Sequence, residues 1–209
     1  MEDKLAQELE AWGKEKVAYT FPRWEQIPDI ELYMDQVIAL LEKHFHKFPG
    51  DSAGKLISPS MINNYVKQGI IPPTIKKRYS RTHIAYLMML CTLKPVLPLA
   101  VVQGIIEFQL QTKTFAEVYD HFAIEQEQAS VYTMAQAKAE SELLGQTAAT
   151  EQEMLSNLSL KMAVLANSSK ILAEKIIEME RAEGKLSTLD DKGKKVKRSK
   201  CKTIRHIDN

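Results

Sequence analysis

The chain has 209 residues, of which 44% are hydrophobic, 28 are Lys or Arg and 27 are Asp or Glu, so its net charge is +1. That length and composition suffice for a buried core in one or two domains and exclude a disordered or disulfide-built chain. The two cysteines, Cys91 in an apolar run and Cys201 in a basic stretch, form no metal or disulfide framework, so a reducing cytoplasm is expected.

The near-neutral total hides segregation. Residues 1–51 carry −5, 52–106 carry +7, 107–191 carry −8 and 192–209 carry +7. Between Ser52 and Ile106 there is no acidic residue, while Lys55, Lys67, Lys76, Lys77, Arg78, Arg81 and Lys94 are all basic. A field of one sign on a folded segment concentrates the opposite charge, and a polyanion such as nucleic acid is the partner it suits. The competing reading is a basic face paired with the chain's own acidic segments.

In chain order, residues 2–16 predict a short amphipathic helix with Leu5, Leu9 and Trp12 on one face. An aromatic and proline-rich connector follows, from Phe21-Pro22-Arg23-Trp24 to Pro28. Asp29 is the expected N-cap of a helix to about His46, with Leu32, Val37, Leu40, Leu41 and Phe45 apolar. Asp29, Glu31 and Asp35 suit the start of that helix through its dipole and need no catalytic role. His44 and His46 stand two apart, on different helix faces, and make poor joint metal ligands. Pro49-Gly50-Asp51-Ser52 and Gly54 mark a loop over 48–57.

Ser58-Pro59 opens a helix with a hydroxyl cap and a proline at the first helical position, and Gly69 ends it. Ile62, Tyr65 and Val66 fall on its inward face; Ser60, Asn63, Asn64 and Lys67 fall on the outward one. Paired amides suit adenine edges in a major groove, and a lysine reaches guanine or phosphate. Pro72-Pro73 blocks further helix, so Thr74 to Tyr79 is expected as a turn or small hairpin. Lys76, Lys77 and Arg78 would grip flanking phosphates there. Ser80 caps a third helix to about Leu93. His83, near its start, would contact phosphate or cover the surface. Pro98–Leu110 predicts a fourth helix and Thr114–Phe122 a short fifth.

From Ile124 to Glu183 there is no proline and one glycine, Gly145, so one long helix is predicted. Leu158, Leu165, Leu172 and Met179 repeat every seven residues, with Leu155, Met162 and Ile176 in the partner register and Ser169 the exception. That pattern predicts a coiled-coil, self-associating region; the alternative is a helix that folds back as core. The eight basic residues from Lys192 to Arg205 predict a disordered basic tail over 185–209. The first residues lack the order of a signal peptide, and the apolar stretch Leu87–Ile106 is interrupted by Lys94, Pro95 and Pro98, so no membrane span is expected.

Ile62-Asn-Asn-Tyr65, Gly69-Ile-Ile-Pro72, the basic turn into Arg78-Tyr79-Ser80 and the apolar helix through Ile84 and Leu87 together resemble the winged helix-turn-helix of MerR-type transcription regulators. They also resemble a variant in a group of uncharacterised proteins of Gram-positive bacteria, with Leu32-Tyr-Met-Asp-Gln-Val37 in the preceding helix. The likeness covers roughly residues 58–110. It implies a recognition helix over Ser58–Gln68, a wing at Lys76–Arg78, and a dimerisation helix beginning near Ile124. The family's arginine and first tyrosine are replaced by Asn63 and Asn64, and the connection from His44 to Ile57 is longer than the family's.

The expected fold class is therefore mainly α. An arm and connector over 1–28 lead into a variant winged helix-turn-helix at 29–110, then a helical, coiled-coil dimerisation region at 111–184. The expected function is sequence-specific binding of double-stranded DNA by a homodimeric transcription regulator. The DNA-binding set is Ser60, Asn63, Asn64, Lys67, Lys76, Lys77, Arg78, Tyr79 and Arg81. No cofactor, metal or catalytic site is expected, because neither a phosphate-binding glycine loop nor a nucleophile–base order is present. The rival readings are a helical protein-interaction adaptor and a DNA-binding element of a phage or recombination system.

Overall fold

A computed structural model describes residues 3–45, 57–146, 148 and 150–186 of the protein. The expected loop over 48–57 except Ile57, His46, and the basic tail from residue 187 with Cys201 lie outside the described residues; of the tail expected over 185–209, Leu186 is buried and the Lys185 carbonyl accepts from Gln111. The protein is mainly α-helical: α1 (Asp3–Ala18), α2 (Met34–Phe45), α3 (Pro59–Gln68), α4 (Arg81–Leu93), α5 (Leu99–Gln109), α6 (Phe115–Gly145) and α7 (Glu151–Ala182), with one 3₁₀ turn at Trp24–Gln26. Extended pairing among the described residues is limited to two antiparallel bridges, Leu32 with Tyr79 and Ile75 with Arg78.

The core is built around α4. Ile84, Ala85, Leu87, Met88, Met89 and Leu90 are all buried, so this helix is enclosed on most sides and has no broad polar face. Around it lie Val37, Leu41 and Phe45 of α2, Ile62 and Tyr65 of α3, Val102 and Ile106 of α5, and Tyr119 and Ala123 of α6. Each such side chain contributes roughly 1.5–3 kcal/mol by leaving water. Cys91 belongs to this core as a buried thiol outside any disulfide.

The Phe21–Trp24 connector is part of that core. Phe21 meets Phe45 and Phe122 edge-on, and Trp24 meets Phe115 in the same way. Its backbone is bolted to α6: the Phe21 amide donates to Glu127 at 2.9 Å, and the Trp24 amide donates to Asp120 at 2.6 Å. Arg23 reaches the same Glu127 with both terminal nitrogens, at 3.0 and 2.7 Å. Asp120 and Glu127 stand seven apart, two turns along one helix face, so a single face anchors the connector. Burial beside Glu127 pushes the Tyr19 hydroxyl up to about 12. One hydrophobic cluster runs from Phe21 to Ala123, across the expected boundaries at 28/29 and 110/111.

Three helix boundaries differ from the sequence reading. α2 begins at Met34, not Asp29, because Leu32 is held extended by backbone hydrogen bonds of 2.9 and 2.8 Å to Tyr79. The short helix expected at Thr114–Phe122 is the first part of α6. Thr114 caps it in a reciprocal box with Glu117, whose carboxyl is held below its usual range by the Thr114 backbone amide and hydroxyl. The single helix expected from Ile124 to Glu183 is two helices. Gly145 closes α6, and Thr150 starts α7 by accepting from the Glu153 amide at 3.2 Å, so cap chemistry overrides continuous helical propensity. α7 folds back along α6, where Lys161 pairs with Glu140.

The far end of α7 returns to α5. A Cβ at Gly104 would lie 2.6 Å from Ile177 Cγ2 and 3.0 Å from Arg181 Nη2, and Arg181 donates to the Ala100 carbonyl. Gly104 thus permits the close approach that seats the hairpin's end. Only the start of the heptad stripe, Leu155, Leu158 and Met162, is spent on packing within the hairpin. Leu158 and Ile177 are buried, whereas Leu160, Val164, Leu165, Ile171, Leu172, Ile176 and Met179 are 40–66% exposed. α7 does fold back as the alternative reading expected, and it packs the first part of the predicted seam while Leu165, Leu172, Ile176 and Met179 stay exposed.

Candidate nucleic-acid interface

α3 forms as its termini dictate. Ser58 Oγ accepts from the Met61 amide at 3.3 Å, Pro59 occupies the first position, and Gly69 ends the helix in the left-handed region at φ 71°. Two backbone amides beyond Gly69 turn back onto the Tyr65 carbonyl, closing the helix and burying Ile70 and Ile71. With Ile62 and Tyr65 facing the core, the opposite face is open: Ser60, Asn63, Asn64 and Lys67 are all exposed. Ser60 Oγ shares a 2.9 Å hydrogen bond with Ser58 Oγ.

The turn after Pro72-Pro73 is a two-residue hairpin. Arg78 N donates to Ile75 O at 2.9 Å, and both central residues, Lys76 and Lys77, have positive φ, 49° and 59°. Such mirror-image turns match the twist of paired strands and ordinarily take Asn-Gly. Two lysines there cost roughly 1–2 kcal/mol each, and nothing in the local packing requires them, since both side chains are exposed. Strained backbone of this kind clusters at functional sites.

The basic residues of the acid-free stretch divide into held and free. Arg78 donates to the Tyr33 hydroxyl at 3.1 Å, lies 5.1 Å from the Tyr33 ring centroid and 3.9 Å from Glu31. Arg81 is clamped: its side chain is 14% exposed, pairs with Glu25 at 3.2 Å and Asp29 at 3.5 Å, and lies over the Trp24 ring. Lys94 stands over the Tyr65 ring. Among the described residues, Lys67, Lys76 and Lys77 form no ion pair. Both opening readings therefore apply, to different residues: the arginines answer the chain's own acids, and the three lysines do not.

Two expected contact residues lie inward. Tyr79 is 3% exposed, its ring against His83 and its hydroxyl pushed up by burial, because the bridge to Leu32 turns it into the core. His83 is 7% exposed and is neither a phosphate contact nor a surface cover. Its Nδ1 accepts from the Ser80 amide at 3.1 Å and shares a 2.8 Å bond with Ser80 Oγ, closing the N-terminus of α4. Burial pushes the imidazole below its ordinary value. The Pro73 and Pro72 carbonyls pull the other way, although Nε2 completes no hydrogen bond.

The supports missed in the sequence are Tyr33 behind Arg78, and the Trp24, Glu25 and Asp29 clamp behind Arg81. Their partners lie 45 to 56 residues away in the chain for the hydrogen-bonded pairs, and no local pattern joins them. No group of three or more metal-binding side chains occurs among the described residues, and no described helix is long and apolar enough to cross a membrane.

Residues 22–122 match a family described as a domain of unknown function, DUF1836. No curated protein and no solved structure matches the chain. The matched span coincides, within a residue at each end, with the continuous core from Phe21 to Ala123. It holds α3, the basic turn and the acids that brace Arg78 and Arg81. The α6–α7 hairpin beyond Ala123 lies outside it.

Proposed function

We propose that the protein binds double-stranded DNA sequence-specifically as a homodimer and regulates transcription, with residues 58–110 acting as a variant MerR-type winged helix-turn-helix. The observation that carries the reading is the exposed set Ser60, Asn63, Asn64 and Lys67 on α3, followed by a strained turn whose two exposed lysines form no ion pair among the described residues. α3 supplies groups for base edges. Lys76 and Lys77, with Arg78 steadied by Tyr33, supply phosphate contacts that set register. Tyr79 and Arg81 serve in this scheme by fixing the turn and α4. The dimer seam would be the exposed Leu165, Leu172, Ile176 and Met179 stripe of α7, an apolar face no other part of the described chain covers.

That same apolar face also favours the second reading, a helical adaptor that docks a protein partner. Selection from a pool of random duplexes separates the two. A recovered motif with twofold symmetry supports the regulator, and Asn63→Ala or Asn64→Ala should relax its preference by about 1–3 kcal/mol at the affected base. Recovery of no motif, with binding indifferent to both substitutions, would sink it.

A further inference from the structure

α1, the later turns of α6 and the first turns of α7 enclose a groove of about 640 Å³. Its walls are apolar, from Leu9 and Val17 of α1, Met134 and Ala137 of α6, and Met154 and Leu158 of α7. A volume of this size and an apolar lining with few polar groups match sites for small organic ligands. Two methionines give the lining an adaptable, polarizable surface.

α1 leaves this groove unfilled. It approaches α6 closely at Gly13, where a Cβ would overlap Met134 Cε, and among residues 7–18 Gly13 alone is buried. Leu9 and Val17, which line it, remain 37–40% exposed. A helix docked through a glycine with its larger apolar residues half out of water gains by burying them on something further.

The polar residues at the groove select the occupant. Glu10 and Lys14 satisfy each other at 2.7 Å. Lys138, also lining the groove, has no ion pair among the described residues. The charge of Lys138 also acts on Glu10, and the three groups sum to +1, so the groove presents a net single positive charge beside an apolar trough. We infer that it binds a single-chain amphiphile with a carboxylate head, a long-chain fatty acid, its chain along Met134, Met154 and Leu158 and its head on Lys138. The site is separate from the proposed DNA-binding surface and does not depend on it.

The test is fluorescence titration of the full chain with cis-parinaric acid, with oleate and oleyl alcohol as competitors. Expected are saturation at one probe per chain, displacement by oleate, and competition by the alcohol at least about tenfold weaker, since about 1.4 kcal/mol from a charge-assisted contact is tenfold in affinity. Lys138→Glu, an exposed substitution that leaves helicity intact, should weaken the probe by about the same factor. Ala137→Trp should fill the groove and remove saturable binding while the circular dichroism spectrum is kept. Unsaturable binding, or saturable binding untouched by Ala137→Trp, overturns the site. Equal competition by the alcohol together with no effect of Lys138→Glu overturns the acid. A fall in sedimenting mass in Ala137→Trp also overturns it, because the groove would then hold a second copy of the chain.

Discussion

Replacing Lys76-Lys77 by Asn-Gly separates what the basic turn costs from what it does. Both residues have positive φ in the native turn, a conformation that is disfavoured for lysine by roughly 1–2 kcal/mol each and suited to Asn-Gly. Glycine's greater freedom in the unfolded chain returns about 0.4–1 kcal/mol of that gain. The variant should therefore be more stable by about 1–3.5 kcal/mol, a rise in Tm of roughly 2–14 °C for a chain of this size. The same change removes two cations. If both touch phosphate, the slope of log affinity against log salt should become shallower by about 1.8 per protomer. Between 50 and 200 mM salt the native protein should then lose roughly tenfold more affinity per protomer than the variant. Melting curves and fluorescence anisotropy on a mixed-sequence duplex measure both effects without knowledge of an operator. A variant that melts lower refutes the strain argument. One that melts higher but keeps the native salt slope refutes the phosphate contacts.

Other expectations follow from single contacts. Gly104→Ala should destabilise by about 1–3 kcal/mol, read by urea unfolding, because the new methyl meets Ile177 and Arg181 where α7 seats on α5. Leu165→Lys with Leu172→Lys should lower the mass measured by sedimentation while helicity is retained, since both side chains are already exposed; an unchanged mass places self-association elsewhere. His83 contributes to pH dependence with a definite sign. Its folded value lies below 6.5, so the unfolded chain takes up the proton first as pH falls below 6.5. Stability should be complete above that value and decline below it until the folded value is reached. In His83→Gln, which retains a capping acceptor, the urea midpoint should fall less between pH 7.5 and 5.5.

Much of the fold was legible where the determinants are local. Ser58, Pro59 and Gly69 bound α3 as expected because cap chemistry acts within one turn, and its two faces separate as the spacing of Ile62, Tyr65, Asn63 and Lys67 requires. The split between α6 and α7 had its signals in the chain, Gly145 and the Thr150–Glu153 cap, but an unbroken run of helix formers outweighed them in the reading.

Composition and periodicity alone determined a mainly helical protein, an acid-free middle with an outward amide and lysine face, and a heptad stripe late in the chain. Only tertiary structure decided which cations are spoken for, that Tyr79 and His83 turn inward, that the Phe21–Trp24 connector belongs to the core, and that α7 leaves the later part of its heptad stripe uncovered. The physical reason is range. Helix caps and faces are fixed by neighbours a few residues apart, whereas the Arg81 clamp, the Glu127 anchor and the Gly104 seat join residues 52 to 106 positions apart, and nothing in a local pattern encodes which pairs will meet.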